Sequence, residues 1–75
     1  MNEAAGSGAL TVTVNGRHHR LPVGSTVASL VAGFGLRARG TAVARNGEVV
    51  PAGMWAETAL ADGDRIELLR AAPGG

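Results

Sequence analysis

Residues 10–35 read LTVTVNGRHHRLPVGSTVASLVAGFG, and this stretch decides the fold. Leu10, Val12 and Val14 alternate with Thr11 and Thr13, the period-two pattern of a strand buried on one face. Asn15-Gly16 follows, and both residues tolerate the positive φ of a tight hairpin turn. RHHRLPV (17–23) is then the return strand, with Leu21 and Val23 expected inward. Ser25 or Thr26 can cap a helix by accepting a backbone N–H hydrogen bond. Val27, Leu30, Val31 and Phe34 fall at i, i+3, i+4 and i+7, one apolar stripe expected in the core. Gly35 suits a left-handed stop. A helix this short must be held by packing against a sheet.

Downstream, TAVARNGEVV (41–50) repeats the device with β-forming residues around Asn46-Gly47, and Pro51 ends the pairing. PAGMWAETAL (51–60) is a compact connector with Met54, Trp55 and Leu60 as packing anchors. Asp62-Gly63-Asp64 is a tight turn. RIELLR (65–70) is the last strand, with Ile66 and Leu68 on one face and Arg65, Glu67 and Leu69 on the other. The order hairpin, helix, strand pair, final strand is an α+β arrangement, a mixed sheet of about five strands with the helix on one face. The helix acts as a crossover, so the first and last strands are expected side by side at the centre. The domain is expected over 9–70, with a disordered arm over 1–8 and a tail, AAPGG, over 71–75.

Composition excludes several functions. A chain of 75 residues makes one small domain, and one that buries roughly 60% of its unfolded surface. It has no Cys, hence neither a disulfide nor a thiol nucleophile. Its two His, His18 and His19, are adjacent on an expected sheet edge; they form neither a tetrahedral metal set nor a triad, and no metal is expected. Asp62 and Asp64 read as turn residues. Seven Arg against six acids leave a net charge of +1, and no basic run is interleaved with aromatics, so nucleic acid is not a partner. No apolar stretch spans a bilayer, and MNEAAGSGA lacks the basic and apolar regions of a signal peptide. A cytoplasmic protein without a self-contained active site is expected, a monomer when free.

In this order and size, ending in Gly74-Gly75, the chain resembles the β-grasp, ubiquitin-like proteins. It is most similar to the sulfur carrier proteins of thiamine biosynthesis. The likeness rests on VNG (14–16), ARNGEVVP (44–51), Trp55, DGDRIELL (62–69) and the final Gly-Gly. It covers 9–75. The arm is an extension, and Pro73 stands where a more flexible residue is usual.

Alone, two terminal glycines could be frayed, a thin handle for a partner's active site, or a reacting α-carboxylate. The resemblance implies the last. A main-chain carboxylate ionises near about pH 3.5 and is a poor electrophile at neutral pH. In the family an E1-like adenylyltransferase uses ATP and Mg²⁺ to convert it to an acyl-adenylate. Sulfur from a cysteine desulfurase or other persulfide donor then yields a thiocarboxylate, which feeds thiazole synthase. Gly75 is thus the implied site of adenylation and thiocarboxylate formation, and the carrier itself binds no cofactor and is no enzyme. Gly74 lacks a Cβ and can thread a narrow cleft, while Pro73 stiffens the tail's departure. Leu69, exposed beside Arg70 and Glu67, is the expected partner contact. The alternatives are the small subunit of molybdopterin synthase, another thiocarboxylate carrier, a ubiquitin-like protein modifier, and a binding domain with an inert tail. The absence of Lys, which forbids self-linked chains, and the NGEVVP…W stretch weigh toward the thiamine carrier.

Overall fold

A computed structural model describes residues 8–70 of the chain. Five strands form one sheet: β1 (Ala9–Val14), β2 (Arg17–Pro22), β3 (Thr41–Arg45), β4 (Glu48–Val50) and β5 (Arg65–Arg70). Their order across the sheet is β2-β1-β5-β3-β4. β1 runs parallel to β5 and all other neighbours are antiparallel. The first and last strands do lie together at the centre. One helix, α1 (Val27–Gly33), and a 3-10 segment (Ala52–Glu57) complete the domain. The β-grasp α+β architecture read from the sequence is the one observed.

Both Asn-Gly pairs turn hairpins as expected. Asn15 and Asn46 have φ of 51° and 52°, and Gly16 and Gly47 have 86° and 88°. α1 starts at Thr26, whose hydroxyl accepts from the Ser29 N–H at 3.1 Å while the Ser29 hydroxyl accepts from the Thr26 N–H at 2.9 Å. This reciprocal cap satisfies two donors a helix start otherwise leaves open. Gly35, at φ 75°, ends the turn.

The core is one cluster. Leu10, Val12 and Val14 of β1, Val43 of β3, and Ile66 and Leu68 of β5 face Val27, Leu30 and Val31 of α1, with Trp55 and Leu60 closing the side. Each fully buried side chain of this kind contributes roughly 1.5–3 kcal/mol. The Trp55 indole N–H donates to the Val50 carbonyl at 2.8 Å, so its burial leaves no polar group unpaired. The connector is pinned to the helix start by hydrogen bonds from Val27 N to Thr58 O and from Leu60 N to Ser25 O.

Three expected core residues are instead exposed, for distinct reasons. Val23 lies past the end of β2, where the Ser25 N–H bonds back to the Pro22 carbonyl and breaks the alternation; it is 61% exposed. Phe34 follows the last helical residue as the C-cap, so it leaves the stripe and packs edge-on against His19, ring centres 5.2 Å apart. Met54 lies in the 3-10 segment, whose three residues per turn aim Trp55 inward and rotate its neighbour out.

Candidate functional site: the end of the central strand

β5 is built from alternating residues, so its two faces have different fates. Ile66 and Leu68 enter the core. Arg65, Glu67 and Leu69 emerge on the face away from α1, and Leu69 is 67% exposed. On that outer face Leu69 stands opposite Ala42, Glu67 opposite Ala44, and Ala44 opposite the exposed Val49 of β4. The result is a low apolar strip with Leu69 as its ridge. Leu69 borders three depressions, one with Gly40, Thr41, Ala42 and Arg70, one with Thr13, Asn15, Gly16, Arg65, Ile66 and Glu67, and one with Asn15, Phe34, Leu36, Leu68 and Arg70.

β5 outruns its neighbour. β1 pairs with it only through Thr13 and Val14, after which the chain turns away at Asn15. The Asn15 side chain replaces the missing strand: its amide oxygen accepts from Leu68 N–H at 2.9 Å and its Nδ2 donates to Leu68 O at 3.2 Å. Asn46 does the same at the other end, accepting from Arg65 N–H at 2.8 Å while donating to Asp64 Oδ1 at 3.0 Å. In the sequence both asparagines read as turn formers only. Asn15→Gly keeps the positive φ and deletes only the clamp. The expected loss is about 1–2 kcal/mol, two net hydrogen bonds, with faster amide exchange at Leu68. Urea unfolding and hydrogen exchange would measure both.

Asp64 is 5% exposed, and its side chain accepts three hydrogen bonds: from Arg45 Nε at 2.9 Å, Asn46 Nδ2 at 3.0 Å and Ala61 N–H at 2.8 Å. Burial pushes its carboxyl up; the Ala61 N–H, the Asn46 amide and the Arg45 guanidinium outweigh that and hold it below the ordinary range. Its role is to tie β3 to the start of β5. Asp62 does related work, accepting from Thr11 N–H at 2.7 Å.

Glu67, Leu69 and Arg70 are thus brought together on β5, at the point where the chain leaves the sheet. Pro73, Gly74 and Gly75 lie outside the described residues. His18 is exposed on the outer face and His19 is half-buried on the other, so the pair does not converge. Among the described residues no three His, Cys, Asp or Glu side chains gather to hold a metal, and no helix is long and apolar enough to cross a membrane.

The ThiS family model matches residues 11–75, nearly the whole chain. The protein belongs to the ThiS family. A crystal structure of a thiamine biosynthesis protein (ThiS) from Geobacter metallireducens superposes with a TM-score of 0.74 at 29% identity, covering 88% of this chain and 100% of that one. A thiazole synthase of Paramagnetospirillum magneticum is 33% identical over 66 residues. Those residues are 88% of this chain and 20% of the relative, so the chain spans about a fifth of that protein's length. The ThiS match runs through Gly75, so the family's region includes the glycines beyond β5.

Proposed function

We propose that the protein is the sulfur carrier of thiamine (thiazole) biosynthesis and that Gly75 is its reacting residue. An E1-like adenylyltransferase, using ATP and Mg²⁺, joins the Gly75 carboxylate to AMP and releases pyrophosphate. A persulfide sulfur from a cysteine desulfurase or other donor then displaces AMP. Thiol cleavage of the resulting S–S bond leaves a thiocarboxylate, and thiazole synthase takes its sulfur. The carrier is a substrate rather than an enzyme and works in the cytoplasm.

The ThiS family match through Gly75 carries this reading. The thiazole synthase relative supports the choice of acceptor, because a segment resembling this chain forms part of a protein of that name. The site's architecture supports the carrier role. β5 is anchored on both sides up to Leu68, so the chain beyond Arg70 starts from a defined origin. Gly74 and Gly75 present main chain without Cβ to a partner's cleft, and Pro73 limits the entropy lost on threading. The exposed Leu69 with Ala42, Ala44 and Val49 offers the partner an apolar contact, rimmed by Glu67 and Arg70.

The test is the intact mass of the protein from its native host, isolated without reductant, with fragmentation of the C-terminal peptide. Replacement of one Gly75 oxygen by sulfur is expected. An ordinary carboxylate in thiamine-starved cells, or a link to a lysine of another protein, would sink the proposal. A second expected result concerns the contact. Leu69→Asp slows adenylation about thirtyfold, the effect of losing a contact worth about 2 kcal/mol, with an unchanged melting temperature. Melting of the domain would mean that Leu69 supports the core instead.

A further inference from the structure

The connection from α1 to β3 places two arginines beside the end of β5. Arg37 and Arg39 line one cleft with Arg70, together with Gly35, Leu36, Gly40 and Thr41. Thr41 is the register partner of Arg70, so the loop reaches the sheet where β5 ends. All three arginines are exposed. Among the described residues no carboxylate lines the cleft, and the one ion pair joins Arg45 to Asp64 elsewhere. None of the described acids lines it: Glu48 is in the second hairpin, Glu57 in the 3-10 segment, Asp62 and Asp64 before β5, and Glu67 three residues before Arg70 within β5. The near-zero net charge therefore conceals a cationic cluster at the end of β5.

A guanidinium stays charged at any physiological pH. Three in one cleft repel one another, and the described domain supplies no counter-charge there. Resting on the carrier reading, we infer that Arg37, Arg39 and Arg70 form a docking collar for an acidic protein surface, the rim of the adenylating enzyme's tail-binding cleft. Two facts fix the occupant. Gly75 is five residues beyond Arg70, at most about 18 Å at roughly 3.3–3.6 Å per residue, so a partner that encloses it docks within reach of this cleft. Arginine's planar fork also matches carboxylate oxygens two at a time. The collar adjoins the apolar strip of Leu69 through Arg70, and Arg37 and Arg39 govern encounter, because complementary charge acts mainly on association.

The experiment compares adenylation kinetics, read by pyrophosphate release with the cognate adenylating enzyme, for Arg37→Glu, Arg39→Glu and Arg20→Glu. Arg20 lies on β2, at the far end of the sheet, and its reversal changes net charge equally. Each collar reversal is expected to raise KM for the carrier about tenfold with kcat unchanged. The effect should fade as ionic strength rises past about 0.1 M, where the Debye length is about 10 Å. Arg20→Glu should leave KM near wild type, and the Arg37→Lys/Arg39→Lys variant, which keeps the charge but not the planar fork, should fall between wild type and the reversals. Thermal melts confirm folding of these exposed-site variants. Equal KM values for collar and Arg20 reversals, an effect that salt does not weaken, or loss only of polynucleotide binding would each overturn the collar. If the wild-type protein is not adenylated at all, the carrier reading itself fails and the collar falls with it.

Discussion

Deletion of Gly75 is expected to reduce thiocarboxylate formation by a hundredfold or more while leaving the melting temperature unchanged. The stability half of this result follows from the core and the hydrogen bonds described within residues 8–70, which the deletion leaves in the chain. The activity half follows from reach. Each residue of extended chain spans about 3.3–3.6 Å, so the shortened chain presents its carboxylate that far short of the nucleotide. A misplacement of about 1 Å already costs about a hundredfold in a positioned reaction. The deletion also distinguishes a reactive end from an inert one: undiminished sulfur transfer would mean that the glycines are passive. The readouts are mass spectrometry of the purified variant and growth without thiamine.

Asp64→Ala is expected to be the most damaging single change to stability outside the apolar core. It strips a buried carboxylate from Arg45, Asn46 and the Ala61 amide at once. Breaking a fully buried ion pair costs about 3–5 kcal/mol. Here the Arg45 side chain is 34% exposed and can find water, which lowers the expected loss to about 2–4 kcal/mol. For a domain this small that is a fall of about 10–25 °C in Tm. The pH dependence has a definite sign. The folded-state pKa of Asp64 is below its unfolded value, so its contribution is complete above about pH 4 and is lost as pH falls below that. Wild-type stability should therefore drop on acidification below about pH 4, and Asp64→Asn should flatten that segment. An Asp64→Ala protein that melts like wild type would refute the assignment.

The features legible in the sequence were those carried by neighbours in the chain. Alternation placed Leu10, Val12, Val14, Ile66 and Leu68 in the core and Leu69 outside it, because period-two geometry is local. The Asn-Gly pairs announced both hairpins for the same reason. Val23 and Phe34 were misplaced where periodicity was carried one step past the end of an element, and Met54 because the connector's 3-10 turn gives no period to read. Long-range chemistry was invisible. Asn15 reaches Leu68 across 53 positions and Asn46 reaches Arg65 across 19, and neither pairing has any signature near the residue itself. Asp64 read as one more turn acid because its burial depends on β3 arriving beside it. The arginine collar was hidden by summing charge over the whole chain, since Arg37 and Arg39 meet Arg70 only through the pairing of β3 with β5. Of the candidate site, the placement of Glu67, Leu69 and Arg70 on β5 was legible from alternation and position, while Pro73, Gly74 and Gly75 rest on family resemblance.

The parallel seam between β1 and β5 also governs the order in which the molecule comes into being. β5 is made after the strands on both sides of it, and Val14 waits for Ile66 across the whole of α1 and the second hairpin. At ordinary synthesis speeds that wait is roughly 3–10 s. Until then the two hairpins have no common neighbour, and the core lacks Ile66 and Leu68. A chain cut short before β5 is consequently unable to close its sheet and, on the proposed carrier reading, also lacks the residue to be activated.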